Sequence, residues 1–184
     1  ISPWSYETIN RWNPKAIDPN RSFYDDSPSE ECHALMNALK DIGTEFCLHI
    51  DLHETTDTDK TVFQPALAAR DGTELDTSNT PDGFYLVGDT RNPCDAFQRY
   101  IIEQVSTITH IAPADAQQCL IGTPLHQPGV ILYDTTAAHL CTGFTNATFN
   151  TTTEVYPDSP RVDAENCIQA QVKSITAGLT FIHQ

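Results

Sequence analysis

The sequence predicts an α/β fold, and three observations predict it. A stretch with helical period, residues 32–42, runs directly into a strand-length segment, residues 45–52. Further strand-like runs at 84–87, 130–133 and 144–155 alternate with two more helical stripes, the pattern of a sheet covered by helices. The 184 residues, 39% hydrophobic and 19% charged, fit one domain with enough interior for one core.

Residues 1–26 are rich in Pro, Asn, Asp and aromatics without helical or alternating period, which predicts an ordered loop region of the kind that carries function. Ser27-Pro28-Ser29-Glu30 has the form of a capping box, with Ser27 as cap and Pro28 at the first helical position. The helix it opens carries Cys32, Leu35, Met36, Leu39 and Ile42 at core spacing and stops at Gly43. The next segment, Glu45-Phe46-Cys47-Leu48-His49-Ile50-Asp51-Leu52, is apolar at each even position, as a half-buried strand is.

Residues 54–82 are polar and rich in Thr and Asp, which predicts loop, with 62–63 and 65–68 as short strand or packing segments. The strand 84–87 precedes a helix starting near Asn92-Pro93, carrying Phe97, Ile101, Val105 and Ile108 and ending by Pro113. After the strand 130–133 comes the Thr-rich run 144–155, with Glu154 near its end. Ser159-Pro160 starts the last helix, whose stripe Ile168, Val172, Ile175, Leu179 and Ile182 has core-facing spacing.

The formal charge of −15, from 25 acidic and 10 basic residues, disfavours nucleic acid and anionic lipid as partners. No apolar run approaches membrane-spanning length, and a cytoplasmic location is the expectation. Six single cysteines lack metal-type spacing and are expected as free thiols. With so few cations, each arginine becomes a candidate anchor for an anionic group.

Four places can carry chemistry. His53 stands where a strand gives way to a polar loop, in Asp51-Leu52-His53-Glu54-Thr55-Thr56-Asp57. An imidazole there suits either a zinc ligand or a hydrogen-bonded core histidine. His49, Asp51 and His53 share one strand face; His49 lies deeper and is expected to be packed. Asp51 either orients the His53 ring or satisfies loop amides. Asn20-Arg21 pairs an amide with a guanidinium fork suited to a carboxylate, or forms a turn with a solvated arginine. Glu154, at a strand end, is either a surface carboxylate or a proton-transfer group.

Together these segments resemble the zinc carboxypeptidase superfamily, which includes pancreatic-type carboxypeptidases and the aspartoacylase and succinylglutamate desuccinylase deacylases. Asp18-Pro19-Asn20-Arg21-Ser22-Phe23 is similar to the family's Asp-x-Asn-Arg-Asn-aromatic motif, with Ser22 in place of the second Asn. Ile1-Ser2-Pro3-Trp4-Ser5 resembles its Asn-Pro-Asp-Gly region, the strand ending in His53 its third zinc-ligand strand, and Thr152-Thr153-Glu154-Val155 its Thr-Phe-Glu-Leu pattern.

The resemblance implies a mixed, mostly parallel central sheet flanked by helices. It implies zinc as cofactor with His53 as a ligand, and Glu154 as general base and acid. Asn20 and Arg21 would hold the substrate carboxylate, Arg11 would polarise the scissile carbonyl and Tyr133 would cap the substrate. The substrate would be a peptide or an acylated amino acid. The family's other two zinc ligands come from a His-x-x-Glu upstream of the Asn-Arg region, and no such motif occurs in the sequence. The expectation is therefore a catalytic domain over residues 1–184 lacking its N-terminal third. An N-acyl amino acid deacylase and a non-catalytic domain keeping the fold stand as alternatives, and the acidic residues of 71–82 suit either basic substrates or a solvated face.

Overall fold

A computed structural model describes residues 2–43, 45–75 and 78–184. Ile1, in the first of the segments resembling the family, and Asp76 and Thr77, in the acidic stretch, lie outside the described residues.

The centre is a four-stranded mixed sheet in the order β1-β6-β2-β5, built from β1 (Leu48–Glu54), β2 (Tyr85–Asp89), β5 (Val130–Tyr133) and β6 (Phe149–Val155). The pairs β1/β6 and β2/β5 are parallel, and β2/β6 is antiparallel. A short hairpin of β3 (Cys119–Leu120) and β4 (Thr123–Pro124) stands apart. The helices are α1 (Pro3–Thr8), α2 (Glu30–Ile42), α3 (Gln64–Asp71), α4 (Asp95–Val105) and α5 (Ala164–Ile182). The expected α/β fold with a mixed, mostly parallel sheet is thus present. None of the helices is long and apolar enough to cross a membrane.

Alternation along the strands separates the two faces. Leu86, Val130 and Val155 point to the side packed by Phe97, Ile101 and Val105 of α4 and by Cys167, Ala170 and Ala177 of α5. Tyr85, Val87 and Ile131 point to the other side, where Ala112 and Leu120 meet them. A third cluster joins Phe23, Cys32 and Met36, with Phe23 stacked on Phe144 at 5.2 Å. It fixes α2 and the N-terminal segment beside the sheet.

The centre of β6 is polar and buried. Thr151, Thr152 and Thr153 are almost fully enclosed, so their hydroxyls must find partners. Thr151 donates to the Val87 carbonyl (3.1 Å) and receives from Gln98 of α4 (3.4 Å), while Thr153 bonds Gln171 of α5.

Several local expectations change. Residues 3–8 form a helical turn because Ser2 caps it, accepting from Ser5 N at 3.3 Å, and Pro3 sits at its start. The cap of α2 is Ser29, bonded by Cys32 N, whereas Ser27 accepts from Ser29 N one turn earlier. Residues 59–71 are helical, a π turn leading into α3 with Pro65 in its first turn. Helix α4 begins at Asp95 and ends before Ile108; α5 begins at Ala164 behind the cap Asp163.

The largest reversal concerns the face α5 buries. Ile168, Val172 and Leu179 are 55%, 47% and 46% exposed, and the buried side is Cys167, Ala170, Ser174, Ala177 and Gly178. Small residues let the helix axis approach the sheet: a Cβ at Gly178 would meet Ile50 at 3.2 Å and Phe97 at 3.4 Å. Close packing of the sheet and α4 against the small side fixes the orientation, so Ile168, Val172 and Leu179 face outward while Ile175 and Ile182 are half-buried.

Candidate functional site

Because β1 and β6 run parallel, their carboxyl ends lie at one edge of the sheet, where His53 pairs with Glu154. The antiparallel strand β2 brings its first residue there, so Tyr85 flanks Glu154 on the other side. All three side chains project from the face opposite α4 and α5, and Asp51, two residues before His53, shares it. The floor of the site is therefore a consequence of register.

Asp51 Oδ2 lies 2.8 Å from His53 Nε2, and His53 Nδ1 lies 3.7 Å from Glu154 Oε1. The other oxygen of Glu154 accepts from the Thr55 hydroxyl at 3.1 Å. Burial pushes the Glu154 carboxyl up to about 7, with His53 and Thr55 pulling it back and Asp59 and Asp51 adding to the rise. Burial would also lower His53, but the hydrogen bond and charge of Asp51 and the charge of Glu154 overcome it and raise the imidazole. Asp51 is held below its ordinary value, its burial outweighed by the bond and charge of His53. This is a carboxylate–imidazole–carboxylate row in which Asp51 holds His53 by a hydrogen bond and Glu154 acts on the ring through its charge.

The N-terminal segment supplies the opposite wall. Asp18 caps the short turn Pro19–Arg21, accepting from Asn20 N at 2.9 Å, and Ser22 donates to the Asp18 carbonyl at 2.7 Å. Arg11 donates to Asp18 at 3.1 Å and to Asp59 at 3.0 Å, and Asp59 also accepts from Thr56 N and Thr56 Oγ1. Between the walls lies a cleft of about 400 Å³ whose polar lining includes Arg11, Asp18, Asn20, Asp51 and His53. The side-chain oxygen of Asn20 is enclosed without a hydrogen-bond partner.

Arg21 stands beside the cleft and donates to the Asn20 carbonyl at 2.7 Å. Crowding by surrounding protein lowers its pKa, while Asp18, Tyr133 and Glu154 act to raise it. The residue keeps solvent access, so we treat the guanidinium as a cation at the rim.

The structure thus brings together five of the six expected site residues: Glu154, His53, Asn20, Arg21 and Arg11. Arg11 is committed to two carboxylates. Tyr133 comes from the far end of β2, where it pairs with Asp89, and its hydroxyl accepts from Thr123 at 3.1 Å, while its side chain lies on the face of Glu154 and its charge acts on Arg21. Asp51 takes the ring-orienting role of its two alternatives. His49 is packed, with Thr145 Oγ1 at 2.6 Å and Cys141 Sγ at 3.7 Å. All six cysteines are free.

Thr55, Asp59 and Tyr85 were not singled out by sequence reasoning. Thr55 and Asp59 sit in a Thr- and Asp-rich stretch where each resembles its neighbours, and Tyr85 reads as an ordinary strand aromatic. The one available signal was position: Thr55 and Asp59 follow directly on the strand end that presents His53.

Zinc, which the resemblance implies, can be tested against this donor set. With Nε2 held by Asp51, His53 offers Nδ1 as one ligand, in the arrangement of an imidazole oriented by a carboxylate. Among the described residues no group of three or more His, Cys, Asp and Glu side chains is placed to hold a metal ion, so these residues alone do not make a zinc site. The chain matches no family model, and no curated protein shows significant similarity to it.

Proposed function

We propose that this chain carries the proton-transfer and carboxylate-anchoring part of a hydrolase that cleaves an amide bond next to a free carboxylate, of the zinc carboxypeptidase type. The observation that carries this is the row Asp51, His53 and Glu154, whose Asp51 and His53 line a polar cleft together with Asn20 and Arg11, with Arg21 next to Asn20.

Arg21, and Asn20 through its Nδ2 amide, give a substrate carboxylate charge and hydrogen-bond donors at one point. Glu154, poised near neutrality by burial, takes a proton from the attacking water and returns it to the leaving nitrogen. Asp51 fixes the His53 ring so that Nδ1 faces Glu154. His53 fits a single zinc ligand; the remaining ligands are not found among the described residues, and no step here runs through the metal. Arg11 polarises a carbonyl only if it exchanges one of its two carboxylates for substrate.

The test uses the full-length protein. Elemental analysis is expected to find stoichiometric zinc that His53→Ala removes. Peptides with a free C-terminus should lose their last residue, whereas the same peptides amidated at the C-terminus should not. Equal cleavage of both forms, or a protein purified without metal and inert on peptides and N-acyl amino acids alike, overturns the proposal. Cleavage of N-acyl amino acids but not peptides moves it to the deacylase alternative.

A further inference from the structure

Glu154 has two oxygens in different surroundings, and the chain decides which is free. Oε2 accepts from Thr55 Oγ1 at 3.1 Å; Oε1 faces the His53 side at 3.7 Å from Nδ1. Thr55 is itself immobilised, because its N–H donates to the Val155 carbonyl at 2.9 Å, which pins the first residue after β1 to the strand carrying Glu154. Its neighbour Thr56 is tied through Asp59 to Arg11.

On the opposite flank Tyr85, 2% exposed, pairs with Glu154 across β2 and β6. Enclosure, followed by the charge of Glu154, keeps its hydroxyl protonated. The one hydroxyl proton of Thr55 is given to Oε2.

We infer that Thr55 is the positioning residue of Glu154: it occupies Oε2 and leaves Oε1 as the one oxygen that exchanges a proton with the reaction. This rests on the proposal that Glu154 is the proton-transfer group. In the step itself, water gives a proton to Oε1 as its oxygen attacks the carbonyl carbon. The carbon–nitrogen bond then breaks, and the same proton passes from Oε1 to the leaving nitrogen. Oε2 keeps its bond to Thr55 throughout, so the carboxylate does not swing.

The experiment compares Thr55→Val, Thr55→Ser and Tyr85→Phe in the full-length protein, with hydrolysis of a C-terminally free peptide and isotope-edited infrared spectra of the Glu154 carboxylate, assigned with Glu154→Gln. Thr55→Val is expected to lower kcat by about tenfold to a hundredfold, the range for losing a hydrogen bond to a charged group, with KM unchanged. Thr55→Ser should restore kcat to within a few-fold, and Tyr85→Phe should lower it less than Thr55→Val. The splitting of the carboxylate stretches should change in Thr55→Val and return in Thr55→Ser.

Equal loss in kcat and KM, no rescue by serine, or an unchanged spectrum in Thr55→Val overturns the inference even if the wild type is active. A changed and serine-rescued spectrum in a protein with no hydrolase activity supports the positioning and overturns the proposed function instead. Should Thr55→Val not fold, Thr55→Ala decides in its place: a Glu154 band that it leaves unmoved overturns the inference.

Discussion

The two walls of the cleft are built on different physics. The sheet wall, with Asp51, His53 and Glu154, takes its geometry from a parallel ladder seven residue pairs long backed by the apolar cluster of α4 and α5. The N-terminal wall, with Arg11, Asp18, Asn20 and Arg21, has Phe23 as its large buried apolar anchor. Otherwise it is held by caps and ion pairs: Ser2 on Ser5, Asp18 on Asn20, Arg11 on Asp18 and Asp59. Partly exposed ion pairs contribute little each, typically ~0–1 kcal/mol. The comparison teaches that the proposed proton transfer would sit on the wall held by ladder and core, and the proposed substrate anchoring on the wall held by caps and ion pairs.

The most damaging way to break this contrast is Glu154→Gln, which keeps shape and removes the base. Activity on a C-terminally free peptide should fall by about a hundredfold to ten-thousandfold with little change in KM, read from steady-state kinetics; a wild-type rate in this variant would remove Glu154 from the chemistry. On the other wall, Arg21→Ala should raise KM by about tenfold to a hundredfold, the worth of a charged hydrogen bond, with kcat much less affected. Were the two variants to show the same pattern, the division of labour between the walls would be wrong.

A third variant sharpens the structural side. Gly88 of β2 is where Gln98 and Leu132 press on the backbone; an added Cβ would meet Leu132 at 2.7 Å and also strike the Gln98 amide. Gly88→Ala should cost about 1–3 kcal/mol by overpacking, lowering the thermal midpoint. Arg11→Ala, which cuts two ion pairs of the softer wall, should move that midpoint less.

The last effect concerns pH. Glu154 is raised to about 7 in the fold from 4.5, so below 4.5 both folded and unfolded chains bind its proton and no penalty applies. As pH rises from 4.5 to 7 the unfolded chain ionises first, and stability falls by at most ~3 kcal/mol. His53, whose folded value is raised, adds in the same direction: its contribution is full below 6.5 and is lost as pH passes its folded value. Urea midpoints should therefore decline from pH 5 to 8, and Glu154→Gln should flatten part of that decline. A wild-type midpoint that rises over the same range would show the row of groups to be coupled otherwise.

Much of this was legible in the sequence because it depends on local pattern. The stripe from Cys32 to Ile42 with Gly43 behind it did form a helix with Gly43 in the left-handed region, and alternation placed Asp51 and His53 on one face. That Glu154 would stand opposite His53 followed only from the order of the segments, since register between strands about a hundred residues apart is a long-range property. The face of α5 was misread because hydrophobicity favours Ile168, Val172 and Leu179, whereas close approach favours Ala170, Ala177 and Gly178. The helix over 64–71 was missed because its residues are weakly apolar and follow a Thr- and Asp-rich lead-in. Tyr133 ends β5, which runs the other way from β6, so its side chain comes to the Glu154 face from the opposite end of the sheet.

The buried threonines of β6 have one further consequence. A strand of valines would pack as well one step of two residues along, since sliding by two preserves which side chains face in. Hydroxyls that must meet Gln98 on one helix and Gln171 on another lose both partners if the strand slides. They act as notches in a key, indexing β6 against both helices, and a chain that closed out of step would carry Glu154 past His53 and be marked by the hydrogen bonds it failed to make.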